Sequence, residues 1–305
     1  MNNIKKQKSR EIKEYHISKL IDCTQCIDNN PFNRERQRGC VLSLYPNKNG
    51  KSFEHLDKSI FRGMVIPSLK YLGLIRGEGD SIRASANGKL IIQSRHISLD
   101  LHHRVLSAVF YEIDKNKLRI IEEIRNHSPL TMKNLIILLN DKIDAFSERS
   151  RRDIVRKWVA LFKQANLIRL SSKIILPKEE DIIVINDESI QQVLLDIDVK
   201  SKNLNAFKEY FFNSYFELAK DSAGVVDVED LREKVSLKML EKYLILTENQ
   251  FDIMLGNIPF ETSKYIISLG KPMHARSKLF EYGADYYGTI FVKLIKKGYK
   301  NGNEQ

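Results

Sequence analysis

The sequence predicts a mainly α-helical protein with small β-hairpins, built from modules in tandem. Three observations carry that prediction. The element Lys-x-x-(Gly/Asn)-Leu-Ile-Arg occurs at Lys70–Arg76 and again, 93 residues later, at Lys163–Arg169. Each copy follows a stretch with apolar residues at helical spacing and precedes two short alternating stretches. Basic residues are also unevenly placed. Residues 1–98 hold 18 Lys and Arg against 9 Asp and Glu, 99–200 hold 17 against 16, and 201–305 hold 15 against 14.

The 305 residues leave room for two or three small domains. The opening "MNNIKKQKSREIKEYH" is basic with no apolar segment behind it, so no secretory signal is expected. No uncharged apolar run is long enough to cross a bilayer, and a cytoplasmic protein with no membrane partner is expected. Cys23, Cys26 and Cys40 are an odd, sparse set, which argues against a disulfide framework. With His16 or His55 they would make a zinc set, but the second tight ligand pair that such sites carry is missing. The preferred reading is small apolar side chains on the helix "HISKLIDCTQCID". The polar segment "FNRERQRG" follows, and it reads either as a solvated loop or as an arm placing Arg34, Arg36 and Arg38 along a groove.

In the first copy, Phe61, Val65 and Leu72 face a core, and Lys58, Ser59, Arg62 and Lys70 lie away from it. Pro67 is expected to kink the helix. Gly73 is placed as a left-handed cap, and "LGLIR", "GEGD" and "SIRAS" follow as strand, turn and strand, bringing Arg76 and Arg83 onto a hairpin. In the second copy, "NKLRIIEEIRNHSP" and "LTMKNLIILLND" supply two helices. A third helix has Ile154, Trp158, Leu161 and Ala165 inward and Arg149, Arg152, Arg156 and Lys163 on the far side. Asn166 takes the cap position, and "LIRL" and "KIIL" form a hairpin around "SS" that carries Arg169 and Lys173.

Three helices followed by a two-stranded hairpin, with a basic stripe on the third helix, make a winged helix-turn-helix. The expected organisation is module 1 with a basic N-terminal arm at 1–98, module 2 at 99–186, and at 187–305 a helical linker with a third, winged-helix-like module. In that linker the aromatic-rich helix "NLNAFKEYFFNSYFELAKD" is expected to lie between modules. Two strands, "KYIISLGKP" and "YYGTIFVKLI", flank a loop whose Lys271, His274, Arg276 and Lys278 are within reach of a phosphate.

This pattern points to double-stranded DNA. A cationic helix suits the major groove, with Arg149, Arg152, Arg156, Ser59 and Arg62 facing bases and Lys58, Lys70, Lys163, Arg76, Arg83, Arg169 and Lys173 facing phosphates. No catalytic site is expected. There is no Walker A loop, no His-Glu-x-x-His and no Gly-x-Ser-x-Gly. Asp198-Val-Lys200 matches half of a nuclease pattern, but it falls at a predicted helix end rather than on a core strand.

The first module's "Leu-Ile-Arg", followed by "Ile-Arg-Ala-Ser-Ala-Asn-Gly-Lys-Leu-Ile" and a new helix, resembles the DNA-recognition region of type IIS restriction endonucleases of the FokI and BpuJI kind. The resemblance covers roughly residues 15–200 in architecture and transfers no residue one for one. It implies a monomer reading a short asymmetric site for a separate nuclease domain or subunit. The chain would then be a recognition fragment or specificity subunit. Binding would need no cofactor, and Mg²⁺ would enter only with an attached nuclease. A replication initiator or transcriptional regulator, or a scaffold subunit of a defence or chromosome-organising complex, are the alternatives.

Overall fold

A computed structural model describes residues 12–295 of the chain, apart from 48–49, 114, 144–146, 176–177 and 273–277. The protein is mainly α-helical with small antiparallel sheets, and its packing divides it into two units, Met1–Ile197 and Asp198–Gln305. Among the described residues no helix is long and apolar enough to cross a membrane.

The first unit opens with α1 (Ile17–Asp28), which buries Leu20, Ile21, Cys23 and Ile27, and α2 (Arg34–Ser43). A disulfide joins Cys26 to Cys40 across the two helices, with Cα atoms 5.6 Å apart, and Cys23 stays a buried free thiol. This corrects the reading of the cysteines as unpaired: an odd count leaves room for one bond, and α2 turns back to bring Cys40 against α1. The segment "FNRERQRG" is neither arm nor loop. The Asn33 side chain accepts from Arg36 N at 3.1 Å and caps α2, so the three arginines are helical.

The next helix is continuous from Phe53 to Tyr71 but changes register: α3 (Phe53–Leu56), a π-helical stretch Asp57–Val65, then α4 (Ile66–Tyr71). The kink expected at Pro67 is taken up by this widening. In an α-helix the Gly63 carbonyl would look for a donor at residue 67, where proline has none. Lys13 Nζ donates to that carbonyl instead, at 2.8 Å.

Both copies of the repeated element leave their helix through one geometry. Gly73 and Asn166 adopt φ of 66° and 60°. Leu74 N donates to Leu69 O, and Leu167 N to Phe162 O, both at 2.9 Å, which closes a Schellman cap. The likeness extends beyond the seven residues. Ser85 N returns to Leu74 O at 3.0 Å, and Asn186 N to Leu167 O at 2.9 Å. The side chains of Ser85 and Asn186 donate to the carbonyls of Gly73 and Asn166. A helix then starts at once in each: α5 (Ala86–Ile97) after β1 (Ile75–Arg76) and β2 (Arg83–Ala84), and a later helix after the second hairpin. Gly88 is needed in the first copy, because a Cβ there would lie 2.2 Å from Leu74 O.

Between the copies run α6 (Leu99–Ile113), α7 (Lys115–His127), β3 (Leu130–Thr131), α8 (Met132–Leu138) and α9 (Glu148–Gln164). After them come β4 (Ile168–Ile175), β5 (Lys178–Ile185) and α10 (Asp187–Ile197). The sheet order is β3-β5-β4. The turn expected at Ser171-Ser172 is corrected: β4 runs through both serines and pairs as far as Ile175 with Lys178. The apolar pattern continues to Ile174-Ile175, so the ladder continues too. The two copies share one core. Trp158 packs edge-on against Tyr71 and Phe110, Ile17 N donates to Gln164 Oε1, and His102 meets Ser94 at 3.1 Å.

The second unit holds α11 (Leu204–Ala219), β6 (Val225–Asp227), α12 (Val228–Leu240), α13 (Glu248–Gly256) and β7 (Tyr265–Gly270). A hairpin of β8 (Phe280–Tyr282) and β9 (Asp285–Tyr287) follows, then β10 (Thr289–Leu294). Its main sheet is ordered β6-β10-β7. The aromatic helix builds this unit's own core: Phe207, Phe211 and Tyr215 pack with Leu231, Val235, Phe251 and Ile290. Leaving out the β8–β9 hairpin between β7 and β10, the order helix, strand, helix, helix, strand, strand, with the first strand beside the last, is the same as that of residues 115–185.

Candidate nucleic-acid interface

α9 begins at Ser147, whose hydroxyl accepts from Ser150 N at 3.1 Å, and its inner face buries Ile154, Val155, Trp158, Val159 and Phe162. That burial leaves Arg149, Arg152, Arg156 and Lys163 exposed. At 100° per residue they fall within one stripe about 21 Å long. Asp153 lies in the same stripe and is also exposed. Arg152 is held by Glu148 at 2.7 Å, one turn back. Arg151 faces elsewhere: it donates to Asn140 Oδ1 and, at 3.3 Å, to Ile143 O, pinning the start of α9 to the preceding turn. A groove of about 560 Å³ separates α8 from α9, lined by Met132, Lys133, Ile136, Ile137, Arg152 and Arg156.

The hairpin beside α9 carries Arg169, which is exposed. Lys173 pairs in register with Glu180, and its side chain lies outside the described residues.

The first copy is less free. Arg62 pairs with the buried Asp57 at 2.7 Å; Arg38 lies 3.9 Å from the same carboxylate and over the Phe53 ring. Ser59 gives its hydroxyl to His55 O at 2.8 Å, a local bond of the helix itself. Lys58 and Arg36 are exposed, and Arg34 stands near the hairpin turn at Gly79. Arg76 and Arg83 sit directly opposite each other on β1 and β2, both half-buried, as is Lys70.

In the second unit Lys278 is drawn onto carboxylates, 3.3 Å from Asp252 and 3.6 Å from Glu248, and donates to Asn249 at 2.7 Å. Asp252 also accepts from the fully buried Arg232. His274 and Arg276 lie outside the described residues. Asp198 caps a short turn, accepting from Lys200 N at 3.0 Å, rather than sitting on a strand.

Asp57, Glu148 and Asp153 were not among the residues expected from the sequence. The spacing of Glu148 four residues before Arg152 was a readable signal. Asp57 carried none, because its burial comes from long-range packing. No protein-family model, curated protein or solved structure matches the chain.

Proposed function

We propose that residues 115–185 form a winged helix-turn-helix that binds double-stranded DNA in a sequence-specific way, with α9 in the major groove and the β4–β5 hairpin along the backbone. The observation that carries the reading is the stripe of Arg149, Arg152, Arg156 and Lys163 on a helix whose other face is buried. Arginines there suit guanine O6 and N7, and Lys163 and Arg169 suit phosphates. The three helices α7, α8 and α9 with the small antiparallel sheet β3-β5-β4 support that reading.

The first copy supports this role in a more limited way. Arg62 pairs with Asp57 and Arg38 stands 3.9 Å from the same carboxylate, so one negative charge offsets only part of the charge of two guanidinium groups, and Lys58, Arg36 and Arg34 remain for backbone contacts. The second unit repeats that element order apart from the β8–β9 hairpin, but its counterpart of α9, α13, carries Glu248 and Asp252 and no Lys or Arg, so DNA reading is assigned to the first unit. In this reading the chain is the recognition part or specificity subunit of a type IIS restriction endonuclease, acting on DNA as a monomer, with Mg²⁺ belonging to a separate nuclease.

Selection of random-sequence duplexes on the purified protein at about 150 mM salt tests the reading, because phosphate-only affinity is weakened there. One short asymmetric motif is the expected result. A palindrome would point to a dimeric regulator or initiator. Enrichment of nothing, with only salt-sensitive binding, would overturn sequence-specific recognition.

A further inference from the structure

We infer that Asp153 is a specificity-determining residue of α9, accepting a hydrogen bond from an exocyclic amino group, that of cytosine N4 in particular. The inference rests on the reading of α9 as a groove-binding helix.

Asp153 is exposed in the stripe, one turn after Arg149 and three residues before Arg156. For holding phosphates a carboxylate there is a cost, since it repels the backbone and lowers affinity for every duplex, and what its spacing to Arg149 and Arg156 adds to the helix is small. Asp153 is also not the partner that positions Arg152. Glu148 holds that guanidinium at 2.7 Å, so the arginine's orientation does not depend on its neighbour. Nor does Asp153 start the helix, which Ser147 caps.

What remains is its chemistry. A carboxylate only accepts, and in the major groove the donors are the amino groups of cytosine and adenine. Guanidinium groups only donate, and they match the O6 and N7 acceptors of guanine. Arginines on either side of an aspartate therefore present a donor–acceptor–donor row along one helix face. Such a row is complementary to guanines flanking a base pair that offers an amino group. The surface cleft at the start of α9 is lined by Ser147, Glu148, Arg149, Arg152, Asp153 and Arg156; Glu148 is engaged by Arg152, and Asp153 is the carboxylate that lies between Arg149 and Arg156. Cytosine is favoured over adenine because its amino group stands alone as donor, whereas adenine couples its amino group to an N7 acceptor that a carboxylate repels.

The test compares the full-length protein with Asp153→Ala and Asp153→Asn, using the duplex motif selected by the unmodified protein and a random duplex of equal length. The expected result has two parts. Asp153→Ala loses discrimination by about tenfold or more at one cytosine-bearing position. It also binds the random duplex more tightly than the unmodified protein does. Asp153→Asn, which can donate as well as accept, shifts preference at that position towards adenine. An unchanged motif in both variants, with affinity raised equally on all duplexes, would overturn the inference and leave DNA recognition by α9 standing. Discrimination lost at a position occupied only by guanine or thymine would overturn it as well. Failure of the unmodified protein to select any motif would instead sink the underlying reading, and this inference with it. Circular dichroism and melting of the variants separate these outcomes from misfolding, since residue 153 is solvent-exposed.

Discussion

Arg152 and Lys163 share a stripe but differ in what they should contribute. Arg152 arrives oriented by Glu148, and a planar guanidinium so held suits bidentate contact with a guanine. Arg152→Ala is expected to cost about 1–3 kcal/mol on the selected site and to relax specificity at one position. Lys163→Ala should weaken all duplexes alike and reduce the slope of log affinity against log salt by about one. Titrations on specific and random duplex at several salt concentrations check both. Equal losses on the two duplexes for Arg152→Ala would remove its base-reading role. His102 gives a pH signature at the same scale. Burial, then the neighbouring charges of His103 and Arg95, push its pKa down to about 4 from an ordinary 6.5. As pH falls, the unfolded chain takes up this proton first, so stability present above pH 6.5 is lost on the way to pH 4. His102→Gln should show a shallower fall in melting temperature over that window than the unmodified protein does.

Among the elements, the repeated helix exit is where sequence and structure agree in most detail. Gly73 and Asn166 were legible because few residues adopt a positive φ, and both copies do adopt it. The longer equivalence through Ser85 and Asn186 was not legible, since a hydroxyl and an amide do the same work from different sequences. The two glycines of the first copy should respond differently to alanine. A Cβ at Gly73 meets nothing within 4 Å, so Gly73→Ala is expected to cost about 1–2 kcal/mol from backbone conformation alone. At Gly88 the new carbon would stand 2.2 Å from Leu74 O, forcing α5 away from the cap, and the loss should be larger. Chemical denaturation of both variants measures the difference. The hairpin after α9 was misjudged at its turn because serine pairs are common in turns, yet nothing local prevents them from extending a ladder whose neighbours are isoleucines.

For the whole molecule, charge and packing divide the chain at different places. The net excess is +9 in residues 1–98, +1 in 99–200 and +1 in 201–305, and the packing boundary falls between Ile197 and Asp198. A fragment of residues 1–197 is expected to unfold cooperatively and keep the duplex affinity of the full chain to within a few fold, while 198–305 alone should not bind. Gel-shift and calorimetric measurements on the two fragments test this, and strong binding by 198–305 would contradict the assignment of DNA reading to the first unit. α2, β3, β6 and the β8–β9 hairpin were not legible in the chain, but the helical periods, the left-handed cap positions, the succession of the longer helices and the basic face of α9 were. Those features depend on neighbours within a turn or two, where spacing and residue type are enough. Long-range packing brings Cys26 to Cys40 and sets Arg62 and Arg38 beside Asp57. It also sets Lys173 opposite Glu180 in the β4–β5 ladder and gathers Phe207, Phe211 and Tyr215 into the core of the second unit. Each of these depends on which distant segments come together, and burial and pairing across such distances leave no periodic trace in the chain.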